Sequence, residues 1–283
     1  MTNPIFSIER EKQKMIDEMK RIGYSRKTIL SYCFWIDKFF KYCNKGPRRV
    51  TKKEVMSYLN YLSSKGFSGS TMNICLSAIK FLFEEIMHRN IYLRVKYSRR
   101  AKIIPTVLSK EEIRKLFESV ENEKHKLMIE LMYSAGLRVS ELLNLRVKDF
   151  EIDAGFGWVR HGKGNKDRFF IVAEGLKKRI KEFVGCKKDN GDCFLFAGNN
   201  GRMSARTVQE IVKSAAKKAA IKKNVHPHTL RHSFATHLVE QGNEITDVKE
   251  LLGHGSLQTT MMYVHAANPI MFNVKSPFDC LYV

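Results

Sequence analysis

Apolar residues at positions 8, 15, 16, 19 and 22 stand on a charged background, the spacing of one face of a helix. Gly23 closes that segment, and Ser25 supplies an N-cap for a second helix reaching Tyr42. That helix is rich in aromatic residues: Tyr32, Phe34, Trp35, Phe39 and Phe40. After Gly46-Pro47, Thr51 and Glu54 form the Thr-x-x-Glu of a capping box, which predicts a third helix ending near Ser64. Ser70 is expected to open a fourth, with Ile74, Leu76, Ile79, Phe81, Leu82, Phe83 and Ile86 on or near its buried side. Four helices with short connections in about 90 residues predict a compact bundle.

Between Tyr97 and Leu108 the helical periodicity stops. The text SRRAKIIPTV is basic, and Pro105 disfavours helix at Ile104, so an extended linker is expected over 98–107. It separates a helical domain, 1–97, from a second domain, 108–283. Ser109 with Glu112 is another capping box and restarts the pattern. Helices are predicted near 109–119, 123–134 and 138–145. Gly157 to His161 and Arg168 to Val172 then read as a β-hairpin whose tip runs from Gly162 to Asp167. Helices resume at about 174–184, 204–219, 227–241, 244–251 and 256–264. The expected class is mainly α: a four-helix bundle followed by a mixed α+β domain with a small antiparallel sheet.

Charge narrows the partners. The chain of 283 residues carries 50 Lys and Arg against 29 Asp and Glu, a net +21. Residues 1–100 alone hold 21 basic against 8 acidic side chains. So local an excess points to a polyanion, and to nucleic acid before an anionic membrane. The first residues lack the apolar run of a secretory signal, and the apolar patch at 127–133 is interrupted by Glu130. A cytoplasmic protein associated with the nucleoid is expected. Cys33, Cys43, Cys75, Cys186, Cys193 and Cys280 show no C-x-x-C or zinc-ribbon spacing, which fits reduced thiols.

The second domain collects donors and cations in four segments: AGLRVSELLNL, HGKGNKDR, HPHTLRHSFATHL and LLGHGSLQTTMMYVH. They supply Arg138, Lys163, His228, Arg231 and His254, with one phenol at Tyr263. His228 and Arg231 are three apart on a helix and share a face. Paired guanidiniums with imidazoles suit a phosphate better than a carboxylate or a metal, because each Arg fork reaches two phosphate oxygens and keeps its charge. Taken singly, each residue has a plainer reading. Lys163 in a hairpin tip is solvated charge, His228 and His232 could be an i, i+4 metal pair, and a Tyr in a helix is packing. The pair lacks the Glu of an H-E-x-x-H motif and a Cys partner.

In order and spacing these segments resemble the tyrosine recombinases. Arg-x-x-Glu in GLRVSEL, Lys in GKGNK, H-x-x-R-H, LGH, and a Tyr nine residues after that His are similar to the Xer branch, most closely over 108–267. The resemblance implies a core-binding, SAM-like first domain and a catalytic second one. It implies that Tyr263 attacks a DNA phosphodiester to give a 3′-phosphotyrosyl bond and a free 5′-hydroxyl. Arg138, Arg231 and His254 would clamp the non-bridging oxygens, Lys163 would protonate the leaving 5′-oxygen, and His228 would assist proton removal from the phenol. A phenol with a pKa of about 10 needs such help at neutral pH. Glu141, three residues past Arg138, is expected to hold its guanidinium. His232 is left with two uses, a phosphate hydrogen bond or packing. Leu230, Phe234 and Leu238 are expected in the core.

The resemblance also implies double-stranded DNA as partner, four protomers on paired sites, a regulatory protein or second recombinase as a further partner, and no metal, ATP or other cofactor. Chromosome dimer resolution is favoured over mobile-element integration, since no arm-binding domain precedes the helical bundle. A type IB topoisomerase-like activity and a non-catalytic DNA-binding protein are the alternatives. One departure from the family pattern lies after Tyr263, where relatives often pass a C-terminal helix to a neighbour. Pro269 and Pro277 leave little room for one here.

Overall fold

The computed structural model describes residues 4–89, 97, 105–160, 167–185, 193–198 and 201–267. The chain divides into two compact units, residues 1–102 and 103–283. Of the linker expected over 98–107, residues 98–104 lie outside the described residues, and 105–107 have no regular secondary structure.

The first unit is helical: α1 (Pro4–Arg21), α2 (Arg26–Cys43), α3 (Lys52–Ser64) and α4 (Gly69–Lys80), the last running on into a π-helical stretch at Phe81–Ile86. Ser25 caps α2 by accepting from the Thr28 N–H, and Thr51 and Glu54 form the capping box of α3. The start of α4 differs from expectation. Ser68 is its cap, accepting from the Thr71 N–H at 3.2 Å, and Ser70 lies inside the helix. The four faces enclose Met15, Met19, Ile36, Phe39, Val55, Leu76, Ile79 and Phe83. Phe39 holds that core together, with the rings of Tyr58 and Phe83 against it at 5.4 and 6.3 Å. Ile74, expected near the buried side, faces solvent.

The second unit carries α5 (Lys110–Glu118), α6 (Glu123–Ser134) and α7 (Val139–Asn144) before its sheet. The capping box of Ser109 and Glu112 begins α5. Strands β1 (Phe150–Glu151), β2 (Phe156–Val159) and β3 (Arg168–Ile171) form an antiparallel sheet in that order. Phe156 pairs with Ile171 and Val159 with Arg168, so the predicted hairpin is present with slightly shorter strands; of the expected tip, Gly162 to Asp167, residues 162–166 lie outside the described residues. Helix α8 (Glu174–Gly185) and a second, two-stranded ladder, β4 (Ala197–Gly198) with β5 (Gly201–Arg202), lead to α9 (Ala205–Lys218). Then follow α10 (Pro227–Glu240), α11 (Ile245–Leu252) and α12 (Leu257–Ala266).

Helix α10 is central. Thr229, Leu230, Arg231, Ser233, Phe234, Ala235, Thr236, His237 and Val239 are all buried, so it presents no single apolar stripe. Leu230 and Phe234 are in the core and Leu238 packs against it, as expected. Among its buried polar groups, the Ser233 hydroxyl accepts from the Leu108 N–H at 2.9 Å and in turn donates to the Thr229 carbonyl, whereas the Thr236 hydroxyl has no hydrogen-bond partner among the described residues. One core lies on the α6 side of this helix, around Leu131, Leu142, Phe170 and Leu195. A second, with Phe234, Val248, Leu252 and Tyr263, joins α10 to α11 and α12. No helix among the described residues is long and apolar enough to cross a membrane. Cys33, Cys43, Cys75 and Cys193 are free thiols, while Cys186 and Cys280 lie outside the described residues.

Candidate active site

Gly136 starts the site. With φ +57° it turns the chain out of α6, and a Cβ there would overlap the Phe234 ring. The turn delivers Arg138 to the N-cap of α7. Its backbone N–H donates to Glu141 Oε2 at 3.0 Å and its guanidinium to Glu141 Oε1 at 2.5 Å.

Glu141 is 4% exposed and is the hub of three cations. Arg168 donates to Oε2 at 2.7 Å, and Arg231 stands 3.7 Å from the same oxygen. Burial alone would raise the carboxyl pKa, but Arg168 and Arg138 outweigh it and hold Glu141 below the usual carboxylate range. One negative charge against three guanidiniums leaves the cluster electropositive, the condition for holding an anion. Glu141 does grip Arg138 as expected.

Arg168 is not among the residues expected from sequence. Its buried guanidinium also donates to the carbonyls of Leu251 and Phe169. The strand register holds a sign of it: Arg168 and Phe170 lie two apart and so share one side of β3, and Phe170 is fully buried. An arginine in line with a core residue calls for a buried acceptor.

Arg231 projects from α10 and donates to the carbonyls of Gly136 and Leu252, each at 2.5 Å. Leu252 ends α11, where the helix dipole is negative. Burial, then the repulsion of Arg138, brings the Arg231 pKa down to about 9, and it stays charged at neutral pH. Gly253, left-handed at φ +60°, ends α11 and places His254 in the turn before α12. His254 Nδ1 meets Thr260 Oγ1 at 3.0 Å, and its ring stacks on Tyr263 with centroids 6.0 Å apart.

Tyr263 sits on α12 with 1% exposure, and its Oη lies 3.1 Å from His232 Nδ1. Among the described residues that imidazole is its hydrogen-bond partner. His228, expected to serve the phenol, stands one turn earlier on α10, its ring centroid 6.3 Å from that of His232. The three imidazoles are held neutral. Burial first, then neighbouring histidines and Arg231, lowers His232 to about 4. Burial, then Arg231 and Arg138, does the same to His254. His228 is lowered too, by burial and then Arg231. Burial raises the Tyr263 phenol, against the pull of Arg231 and Arg138.

A cavity of about 800 Å³ is walled by Arg138, Arg231, His228, His232, His254 and Tyr263, so five of the six residues expected from sequence meet at one place. The sixth, Lys163, lies outside the described residues, as does the chain from 268 onward with Pro269 and Pro277. No group of three His, Cys, Asp or Glu among the described residues is arranged to hold a metal ion.

The chain is also similar to known proteins. Residues 106–269 match the phage integrase family, and residues 12–92 match the phage integrase N-terminal SAM-like domain. The tyrosine recombinase XerA of Pyrococcus horikoshii is 36% identical over 245 residues, covering 85% of this chain and 84% of that one. The tyrosine recombinase XerD of Oceanobacillus iheyensis is 33% identical, covering 86% and 89%. Among solved structures, the XerH site-specific recombinase bound to a palindromic difH substrate, a post-cleavage complex, matches with TM-score 0.74 and 25% identity over 89% of this chain and 80% of that one.

Proposed function

The chain belongs to the phage integrase family and is a tyrosine-type site-specific DNA recombinase, and we propose that it breaks and rejoins DNA through a 3′-phosphotyrosyl bond to Tyr263. The observation that carries this reading is the meeting of the Tyr263 phenol with Arg138 and Arg231 around one cavity. An attacked phosphate gathers charge on its non-bridging oxygens, and fixed cations stabilise that charge without reorganising water. Arg138 and Arg231 take this role, held in place by Glu141 and by the carbonyls of Gly136 and Leu252. His254 adds a hydrogen bond to the same phosphate, and His228, expected to assist proton removal from the phenol, stands one turn away behind His232. Lys163 protonates the departing 5′-oxygen from the hairpin tip. The energy of the broken bond is kept in the phosphotyrosyl ester, so resealing needs no ATP.

Four protomers assemble on two paired sites, and the basic first unit supplies much of the grip on the DNA backbone. Within this activity the proposed role is the resolution of chromosome dimers, supported by the Xer-like wording of the motifs and by the extent of the match to Xer recombinases. The test is a supercoiled plasmid carrying two directly repeated target sites, with Tyr263→Phe alongside. Two smaller circles from the parent protein, and no covalent adduct from Tyr263→Phe on a nicked substrate, are the expected results. Relaxation without recombinants would move the reading to a topoisomerase, and binding without cleavage to a DNA-binding protein.

A further inference from the structure

Three imidazoles border the tyrosine, and they are not equivalent. His254 lies flat against the Tyr263 ring, 18° from parallel, and its Nδ1 is engaged with the hydroxyl of Thr260. His228 stands one helical turn away, beyond His232. His232 alone among them meets the reacting oxygen, with its Nδ1 3.1 Å from Tyr263 Oη and the rings tilted by 46° at 5.7 Å. The geometry is fixed from both sides. His232 rides on the buried helix α10, and Tyr263 belongs to the small core that joins α12 to that helix.

We propose that His232 is a catalytic residue whose Nδ1 accepts the phenolic proton of Tyr263 as the phenol attacks, and returns it when the strand is resealed. This rests on the recombinase reading above and moves the proton acceptor from His228, to which the resemblance points, to its neighbour His232. The step balances. The Oη–P bond forms, the P–O5′ bond breaks, the phenolic proton moves to Nδ1, and the 5′-oxygen takes a proton from Lys163. An imidazole protonated on Nε2 keeps a lone pair on Nδ1 for this purpose. Burial and the nearby Arg231 keep His232 neutral while the cavity is empty, so that lone pair is free. The phenolic oxygen becomes far more acidic as its bond to phosphorus forms, and the phosphate brings negative charge to the cavity that favours the new imidazolium.

The alternative is that His232 merely positions the phenol, and one substitution separates the two. In His232→Asn the amide oxygen falls close to the place of Nδ1, so it still accepts the hydrogen bond but cannot take the proton. Single-turnover cleavage of a nicked suicide substrate should fall about 10²–10⁴-fold, the usual worth of a positioned general base, with DNA affinity unchanged. Placing 3,5-difluorotyrosine at position 263, a phenol of lower pKa, should restore most of that loss in His232→Asn and none of it in Arg138→Ala. His232→Asn cleaving at the parental rate, or a defect that the fluorinated phenol leaves untouched, would overturn the proposal. Failure of the recombinase reading looks different: the parent protein would form no covalent adduct, or Tyr263→Phe would still form one.

Discussion

Glu141 and Arg168 stand 27 positions apart in the chain and meet at 2.7 Å, both almost wholly buried. The contact joins α7 to β3, and through the Leu251 carbonyl it reaches the end of α11. Removing one partner of a buried ion pair leaves an unpaired charge and costs about 3–5 kcal/mol. Glu141→Gln should therefore destabilise the second unit by that order, since it strands three guanidiniums at once. Denaturant midpoints read it. A shift below about 1 kcal/mol would mean that the cations are adequately solvated without the carboxylate.

Acid should weaken the fold in two stages. His232 and His254 are depressed to about 4 in the folded chain, against about 6.5 when unfolded. A group of this kind contributes stability in full above its unfolded pKa, and loses it as pH falls through the folded value. Glu141, also held below its ordinary value, acts in the same direction at lower pH. Urea midpoints should fall steadily from pH 7 to pH 4, and the double variant His232→Asn/His254→Asn should flatten the first part of that fall. An unchanged slope in the double variant would place the protons elsewhere.

Lys163 is testable through the leaving group. Replacing the 5′-bridging oxygen by sulfur gives a leaving group of much lower pKa, which makes a general acid unnecessary. Lys163→Ala should cleave ordinary DNA poorly and the phosphorothiolate almost as fast as the parent. Arg138→Ala should stay slow on both, because the role proposed for it is at the non-bridging oxygens. Equal defects of Lys163→Ala on the two substrates would make the lysine a positioning residue.

Gly136 combines a left-handed backbone with a ring where a Cβ would go. Gly136→Ala should lose on the order of 1–3 kcal/mol of stability. It should also displace the carbonyl that Arg231 holds, so cleavage should drop more than DNA binding does. Parallel measurement of Kd by gel shift and of single-turnover cleavage separates the two effects; equal losses in both would detach the turn from the chemistry.

Local signals in the sequence were enough wherever the physics is local. Ser25, the Thr51–Glu54 box and the Ser109–Glu112 box each satisfy helix N–H groups within three residues, and all three begin helices as expected. Ser68 and Ser70 compete for one cap in the text FSGST, and Gly69 between them reads as loop although it is the first residue of α4. The two-residue ladder of β4 and β5 is too short to show a period. In the site, Arg138, Arg231 and His254 announce themselves by motif spacing. The work of His232 does not, because three histidines lie within seven positions at 226–232. Only the packing of α12 against α10 selects the one that meets a phenol 31 residues further on.

Tyr263 spends its idle time out of reach. At 1% exposure it is the largest of the fully buried side chains among the described residues, whereas Tyr24, Tyr42, Tyr61 and Tyr97 are 39–48% exposed. Iodination or nitration of the free protein should mark those surface phenols first and leave the activity of the preparation standing. On the reading proposed above, the free chain thus carries its nucleophile in a sheathed form.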